Sequence, residues 1–147
     1  MEMQAIQDYF NSADAFARHN GMVISELREG YARAEMELQP HHLNGAHTVH
    51  GGALFTLADF AFAAASNSQG QLALSINSSI SIFKGARTGK LIAEAREVST
   101  TPKLASFEVS IRTVSGDLLA VFQGMVYIKS VSLESLLSAQ AGTKVQG

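Results

Sequence analysis

Residues 50–66 decide the fold, and their sequence is HGGALFTLADFAFAAAS. Two glycines open this stretch, good helix formers fill it, and Ser66, Asn67 and Gly70 close it, which predicts a helix. Nearly every face of the helix is apolar, so we expect the rest of the protein to cover it on all sides. The exception is one carboxylate in the middle of the stretch, Asp59.

Asp59 is a poor choice for the stability of such a helix. Aspartate has low helix propensity, and a buried charge is costly unless it is paired. Phe55, Phe62 and Ala63 lie three or four positions away, so the face around Asp59 is apolar too. Asp59 therefore either hydrogen-bonds a neighbouring group or points to water, or it is a catalytic carboxylate in a mostly dry cleft.

The composition is that of an ordinary globular protein. The chain has 147 residues, of which 46% are hydrophobic and 16% charged, so we expect a single domain over residues 1–147. A formal net charge of −2 argues against a nucleic-acid partner. The absence of cysteine excludes disulfides and thiol chemistry. No signal peptide or membrane-length apolar run is evident, so a cytoplasmic protein without a membrane partner is expected.

The remaining segments predict a sheet. A helix is expected over 4–18, and a weakly ordered tail over about 132–147. Strands are predicted over 22–28, 31–38, 72–83, 91–98, 104–114 and 118–129. Short turns separate the last four strands, which should make them antiparallel neighbours. The fold class is therefore α+β, with a curled antiparallel sheet wrapped around one long central helix.

Two strands carry a clear alternation of side chains. In the strand over 31–38, Tyr31, Arg33, Glu35 and Glu37 form one face, which is expected to be wet. In the strand over 72–83, small or polar residues alternate with Leu72, Leu74, Ile76, Ile80 and Ile82. This period of two is typical of strands whose two faces differ in polarity.

Four of the five histidines fall between His41 and His50, which raises the question of a metal site. The neighbours His41 and His42 cannot easily bind one ion together, and no HExxH spacing occurs. We therefore expect no metal and predict that His41 and His42 are solvated loop residues. The role of His47 stays open.

Gly51 and Gly52 stand where the helix begins, and they do not belong to a phosphate-binding loop of the GxGxxG or GxxxxGK[ST] type. They offer unpaired backbone N–H groups, aided by the helix dipole and without a side chain to block approach. Such a site suits the oxyanion formed when a carbonyl is attacked. The alternative is that the glycines only permit a tight entry into the helix.

The distance between the two features predicts an oligomer. Gly51 and Asp59 are eight residues apart, which is about 12 Å along a helix. An oxyanion donor and a base must both lie within about 3 Å of the reacting group. One helix cannot supply both, whereas two antiparallel copies can. The motif therefore predicts a two-fold homodimer with two active sites across its interface.

The motif resembles a known family. Asn44-Gly45, followed by residues 50–59, 61–63 and 66–68, is similar to the hotdog-fold acyl-CoA thioesterases. The resemblance is strongest to the PaaI-like branch of phenylacetate degradation, whose signature is N-G-x(4)-H-G-G-x-L-F-x-L-A-D. The resemblance implies a long helix wrapped by an antiparallel sheet, in dimers that often pair into tetramers. It also implies hydrolysis of acyl thioesters without a metal. No cofactor is expected, since coenzyme A is part of the substrate.

The resemblance also implies site residues. Asp59 corresponds to the catalytic carboxylate, acting as nucleophile or as general base on water. The Gly51 N–H would polarise the thioester carbonyl, and Gly52 would take part in binding the substrate. His50 and Asn44 would orient the carbonyl or the water. The substrate would further be bordered by Ser75 and Asn77 on the next strand.

Basic residues follow that strand, namely Lys84, Arg87, Lys90 and Lys103. Lysine and arginine pair readily with phosphates, so these residues could meet coenzyme A, but a solvated turn needs charge in any case. The function expected is an acyl-CoA thioesterase acting on an aromatic acyl group, such as phenylacetyl or its hydroxylated forms, or on a medium chain. The alternatives are a non-catalytic acyl-CoA-binding module and a hotdog dehydratase or hydratase.

Overall fold

The computed structural model describes residues 1–138. Its helices are α1 (Met3–Ala13), α2 (Ala15–His19) and α3 (Gly51–Ser66), and a short 3-10 turn covers Pro40–His42. The six strands are β1 (Met22–Arg28), β2 (Tyr31–Glu37), β3 (Gln71–Ile82), β4 (Lys90–Thr100), β5 (Leu104–Thr113) and β6 (Leu118–Ser132). Residues 133–138 are helical. The rest of the predicted tail, 139–147, lies outside the described residues.

The six strands form one antiparallel sheet in the order β1-β2-β4-β5-β6-β3. Helix α3 lies against all six strands, so the sheet curls around it, and the α+β prediction is confirmed. One part of the predicted order is wrong. β3 does not lie beside β4 but pairs with β6 at the far edge, because β4 pairs instead with β2 of the first hairpin.

The core is built around the apolar faces of α3. Phe62 packs edge-on against Phe107 and is tilted against Phe122, at ring-centre distances of 5.7 and 5.5 Å. A Cβ atom at Gly124 would lie only 2.6 Å from the ring of Phe62. The close approach of α3 to β6 therefore requires glycine at this position.

The predicted helix over 4–18 is two helices, because Asp14 interrupts it. Asp14 has extended backbone angles (φ −79°, ψ 91°), and its carboxylate accepts the N–H of Ala17 at 3.0 Å. Aspartate is a strong N-cap residue, so this side chain favours ending α1 and starting α2 over continuing one helix.

The wet face predicted for β2 holds one buried residue. Tyr31 is only 6% exposed. The guanidinium groups of Arg28 and Arg96 lie 4.0 and 4.8 Å from its ring centre, and its hydroxyl donates to Glu94 at 2.6 Å. Charged side chains with long stems thus cover an aromatic ring on an otherwise polar face.

The two edges of the sheet differ. At the β1 edge, α1 covers the backbone: Asn11 accepts the N–H of Ile24 at 2.8 Å, and the side-chain amides of Asn11 and Gln7 both donate to its carbonyl at 3.0 Å. At the β3 edge, no strand within residues 1–138 pairs on the outer side. There Leu74 and Ile76 are 45% and 56% exposed. An open apolar edge of twelve residues is unusual in a monomer.

The alternation predicted over 72–83 is wrong in register. The pairing of β3 with β6 shifts at two places. Between Gln71 and Ala73 the extra residues are on β6, whereas between Ser75 and Asn77 one extra residue is on β3. The bulge in β3 moves the side chains that follow it to the opposite face, so Ile80 packs against the core while Leu74, before the bulge, is exposed.

Candidate active site

The start of α3 is held by His50, which is its N-cap residue. The Nδ1 atom of His50 accepts the N–H of Gly52 at 2.8 Å, and its carbonyl accepts the N–H of Ala53 at 2.9 Å. The prediction of two unpaired N–H groups is therefore wrong for Gly52. The Gly51 N–H makes no hydrogen bond to any group within residues 1–138. Since Nδ1 accepts, the proton of neutral His50 lies on Nε2, which is a second donor beside Gly51.

The space at Gly51 is bounded by the end of β3. A Cβ atom placed on Gly51 would lie 3.4 Å from Cδ1 of Ile82, an ordinary van der Waals distance, and would meet nothing else nearby. The glycine is thus not required by crowding within this chain. Its free N–H stands at the positive end of the helix, where an oxyanion is favoured.

Helix α3 is not covered on all sides within one chain. Eight of its residues are buried, but a stripe along one face is covered only in part or not at all. It consists of Gly52, Thr56, Asp59, Ala63 and Ser66. Residues at this spacing lie one above another on a helix. The expectation that the protein covers α3 on all sides is therefore wrong for this face within residues 1–138.

Asp59 lies in the middle of that stripe. Its carboxylate has no hydrogen bond or ion pair within the described residues, so the hydrogen-bonded alternative finds no support there. Partial burial raises the pKa of Asp59 above its ordinary value of 3.8, and the negative charge of Asp14 raises it further. A desolvated carboxylate without a partner is the state expected of a general base or nucleophile.

One chain does not bring the two groups together. Gly51 and Asp59 lie on one unbroken helix, and their spacing corresponds to about 12 Å. Asp59 belongs to the partly open stripe of α3, whereas Gly51 lies at the start of the helix against Ile82 of β3. Their separation is too large for a single carbonyl to touch both.

Asn44 organises the loop that leads to His50. Its Oδ1 accepts the N–H groups of Ala46 and Thr48 at 2.9 and 3.3 Å, and His47 adopts a left-handed backbone (φ 59°) within this turn. A bridge between Leu43 and Val49 closes the loop just before His50. The Nδ2 group of Asn44 has no acceptor within residues 1–138, so it is left to donate.

A cavity of about 310 Å³ adjoins the start of α3. Its walls include Phe16 of α2 and Asn20 just after that helix, the histidines His41, His42 and His50, and Gly52 and Thr56 of the central helix. We call it the α2–α3 cavity. Apolar and polar groups both line it, as in pockets for small ligands.

The other predicted contacts lie elsewhere. Ser75 points to the α3 side of β3, where its hydroxyl meets that of Ser78 at 3.1 Å. Asn77 lies on the opposite face, beside a second cavity of about 320 Å³ on the outer surface of the sheet. The bulge between them separates the two side chains. Neither lines the α2–α3 cavity, and their roles in substrate binding stay predictions.

The predicted phosphate contacts also differ from one another. The Nζ atom of Lys84 lies 3.3 Å from a carboxylate oxygen of Asp117, so this lysine already has an anionic partner. Arg87 is exposed and makes no ion pair within residues 1–138. Arg87 is therefore the freer of the two cations for a phosphate group.

The prediction that His42 is a solvated loop residue is wrong. His42 is only 3% exposed. Its Nδ1 accepts the N–H of Gln39 at 3.0 Å, and its Nε2–H donates to the carbonyl of Asn20 at 2.9 Å. Burial lowers the pKa of His42 below its ordinary value of 6.5. The sequence could not reveal this role, because Asn20 lies on a distant turn of the chain.

Within residues 1–138, no three His, Asp or Glu side chains are grouped closely enough to hold a metal ion. In the same range, no helix combines the length and the hydropathy needed to cross a membrane.

Comparison with known proteins shows similarity to thioesterases and esterases. The family model of the thioesterase superfamily matches residues 46–120. A protein of Archaeoglobus fulgidus named "Putative esterase" is 42% identical over 126 residues, which is 85% of this chain and 82% of the relative. The acyl-coenzyme A thioesterase PaaI of Escherichia coli is 33% identical over 112 residues, which is 76% of this chain and 80% of the relative.

Solved structures give the same result. The structure of the Escherichia coli PaaI protein from the phenylacetic acid degradation operon is similar with a TM-score of 0.81 and 29% identity, covering 89% of this chain and 99% of that one. A mutant of the phenylacetic acid degradation protein PaaI from Thermus thermophilus has a TM-score of 0.73 and 33% identity, covering 76% and 96%.

These similarities extend over most of each chain and confirm the resemblance. The sheet curled around one long helix is the hotdog fold, and the enzyme is a hydrolase of thioesters. The chain belongs to the thioesterase superfamily.

Proposed function

We propose that this protein is an acyl-CoA thioesterase whose active sites are each shared between two protomers. The observation that carries the proposal is the partly desolvated, unpartnered carboxylate of Asp59 on the open side of α3, on the helix that also begins with the free Gly51 N–H. A carboxylate and an oxyanion donor are the two groups that hydrolysis of a thioester needs. The similarity to an acyl-coenzyme A thioesterase names the substrate class.

The proposed dimer joins two copies through β3 and α3. The open apolar edge of β3 and the partly open stripe of α3 are the two surfaces that a second copy would cover. The opposite edge is already covered by Asn11 and Gln7 from α1, which favours β3 as the contact. In a two-fold dimer with antiparallel central helices, the start of each helix would lie against Asp59 of the partner subunit.

In the proposed reaction, the thioester carbonyl binds beside the start of α3. The Gly51 N–H and the His50 Nε2–H donate to its oxygen and stabilise the negative charge that forms there. Asp59 of the partner subunit either removes a proton from water, whose oxygen then attacks the carbonyl carbon, or attacks the carbon itself. The C–S bond breaks, and the thiolate of coenzyme A leaves and takes up a proton. Where Asp59 has attacked directly, water then hydrolyses the mixed anhydride, which releases the acid and restores the carboxylate.

We infer that the acyl group lies in the α2–α3 cavity, because that cavity contains His50 and Gly52 in its wall. Its volume of about 310 Å³ lies at the lower end of the range for ligand pockets. This size supports a compact acyl group, such as phenylacetyl or its hydroxylated forms or a medium chain. A role in phenylacetate degradation rests on the relatives of that name. Arg87, with Lys84, would meet the phosphates of coenzyme A.

A tetramer made of two such dimers is proposed on a second exposed surface. Leu74, Tyr127 and Leu104 are neighbours in one row across β3, β6 and β5, on the outer face of the sheet. Each of these side chains is about two-fifths exposed or more. Contact between the outer faces of two dimers would cover this row. The cytoplasmic location expected from the sequence stays a prediction.

The experiment that tests the proposal follows thiol release from a panel of acyl-CoA esters, using the wild type and Asp59→Asn. The panel contains phenylacetyl, hydroxyphenylacetyl and benzoyl esters and short to long straight chains. Asp8→Asn on α1 is the control, since that carboxylate is exposed and, within residues 1–138, hydrogen-bonds only the side chain of Gln4. We expect turnover by the wild type and the control, and loss of at least about a thousandfold in Asp59→Asn.

Two results would decide against the proposal. Tight binding of acyl-CoA without turnover by the wild type would identify a non-catalytic binding module. Equal turnover by Asp59→Asn and the wild type would remove Asp59 from the chemistry. For an active wild type, one turnover in heavy-oxygen water tests for the nucleophilic mechanism, because label found in the Asp59 carboxylate would establish that this carboxylate attacks the carbonyl.

A further inference from the structure

We propose that His42 is a positioning residue that fixes His50 and the start of α3 for the reaction. The inference rests on the proposed function, in which His50 donates to the thioester carbonyl. The ring of His42 is buried and both of its nitrogen atoms are hydrogen-bonded, although the proposed reaction does not use this ring.

The ring of His42 ties two separate segments together. Its Nε2–H donates to the carbonyl of Asn20, which follows α2, and its Nδ1 accepts the N–H of Gln39, at the start of the 3-10 turn. Both partners have fixed roles, since a carbonyl can only accept and a backbone N–H can only donate. The ring is therefore held as the neutral tautomer with its proton on Nε2.

The backbone of His42 holds His50 directly. Its carbonyl accepts the N–H of His50 at 2.8 Å. His50 in turn accepts the N–H of Gly52 at its ring and the N–H of Ala53 at its carbonyl. A continuous series of hydrogen bonds thus runs from Asn20 through His42 to His50 and the first turn of α3.

His42 acts through His50 and not on the substrate. Its ring is part of the wall of the α2–α3 cavity, as is that of His50. Because both of its nitrogen atoms are already bonded, it has no donor or acceptor left for an acyl group. The Nε2–H of His50 has no acceptor within residues 1–138 and stays available to a ligand.

A set of substitutions separates the two ring contacts. In His42→Asn, the side-chain oxygen takes the place of Nδ1, so the bond from Gln39 is kept and the bond to Asn20 is lost. In His42→Gln, the amide nitrogen takes the place of Nε2, so the reverse holds. His42→Leu loses both. His19→Leu is the control, because His19 is an exposed histidine at the end of α2 that does not line the α2–α3 cavity and makes no hydrogen bond through its ring within residues 1–138.

Two measurements are made on each variant as the full chain. One is kcat and KM for the best acyl-CoA of the panel. The other is the exchange of the Gly52 amide with solvent, followed by NMR, which reports the hydrogen bond to His50 Nδ1 without reference to activity. We expect His42→Leu to lower kcat at least tenfold with KM changed less than about threefold, and to speed Gly52 exchange at least tenfold. His42→Asn and His42→Gln should fall between, and His19→Leu should match the wild type.

The proposal is overturned if His42→Leu keeps both wild-type kcat and slow Gly52 exchange. It is also overturned if the variants lose stability while kcat and Gly52 exchange stay unchanged, because His42 would then be structural only. If His42→Leu fails to fold, the Asn and Gln variants decide by the same criteria. An inactive wild type would refute the proposed function, whereas Gly52 exchange would still show whether His42 positions His50.

Discussion

An alanine at position 52 would disturb the contact that orients His50. Its Cβ atom would lie 3.0 Å from Nδ1 and 3.4 Å from Cε1 of that ring. The ring would have to shift by a few tenths of an ångström away from the Gly52 N–H, with which it now forms a 2.8 Å hydrogen bond. Gly52→Ala therefore perturbs the N-cap of α3 and the donor next to Gly51 in one step.

The effects on stability should nearly cancel. Alanine is favoured over glycine in a helix by about 1 kcal/mol. Loss of an N-cap hydrogen bond costs about 1 kcal/mol. The net change in the free energy of unfolding is then small, and Tm should stay within about 3 °C of the wild type. Activity has no such compensation, because the His50 Nε2–H moves away from the carbonyl, and kcat should fall at least tenfold.

The assay combines thermal unfolding with thiol release, and Gly51→Ala is the control for stability. An alanine at position 51 meets only Ile82 at an ordinary distance of 3.4 Å and leaves the His50 ring in place. That variant should gain helix propensity without losing the cap, so its Tm should rise by a few degrees. If Gly52→Ala has the same raised Tm and an unchanged kcat, the contact between His50 and Gly52 orients nothing.

Three further predictions concern charge and packing. Because the pKa of Asp59 is raised and its ionised form is the active one, kcat should fall as the pH drops through that raised pKa. Asp14→Asn keeps a capping side chain but removes the negative charge near Asp59. In this variant the fall in kcat should occur at a lower pH, as a pH–rate profile would show. Because the pKa of His42 is lowered in the folded protein, the unfolded chain binds the proton first as the pH falls. The free energy of unfolding should therefore decrease below about pH 6.5 and level off below the lowered pKa. Denaturant titrations at several pH values should show a weaker pH dependence in His42→Asn. Gly124→Ala forces a methyl group against the Phe62 ring, so it should lower the free energy of unfolding by about 2 kcal/mol. Calorimetry should then show a Tm lower by about 6 °C. A higher Tm would contradict this prediction.

The central helix and its carboxylate were predictable because their signals are local. The helix can be predicted without tertiary information, because two glycines precede a run of helix formers and polar residues follow it. Asp59 is equally visible, because it is the single carboxylate among apolar residues. The antiparallel character of the sheet followed in the same way from short turns. The place of β3 at the edge did not, because the partner of a strand is chosen by the whole sheet and not by the turn that follows.

Other features depend on contacts that the sequence does not display. The bulge of β3 between Ser75 and Asn77 reverses the faces of the side chains that follow it, and nothing in the alternation marks the extra residue. His42 has the composition of a loop residue but is buried between Gln39 and Asn20. The division into α1 and α2 at Asp14 could have been predicted. Aspartate is a strong N-cap residue and a poor choice for a helix interior, and its carboxylate here accepts the N–H of the residue three positions later.

The most direct test of a site shared between protomers mixes two inactive variants, Asp59→Asn and His50→Ala. In a dimer of one chain of each kind, one site would have an intact helix start and an intact Asp59 from the partner subunit, while the other would lack both. If chains exchange at random in a 1:1 mixture, half of the dimers are mixed, so activity should return to about a quarter of the wild-type value. If purified mixed dimers remain as inactive as each variant alone, Asp59 and His50 do not act across the interface.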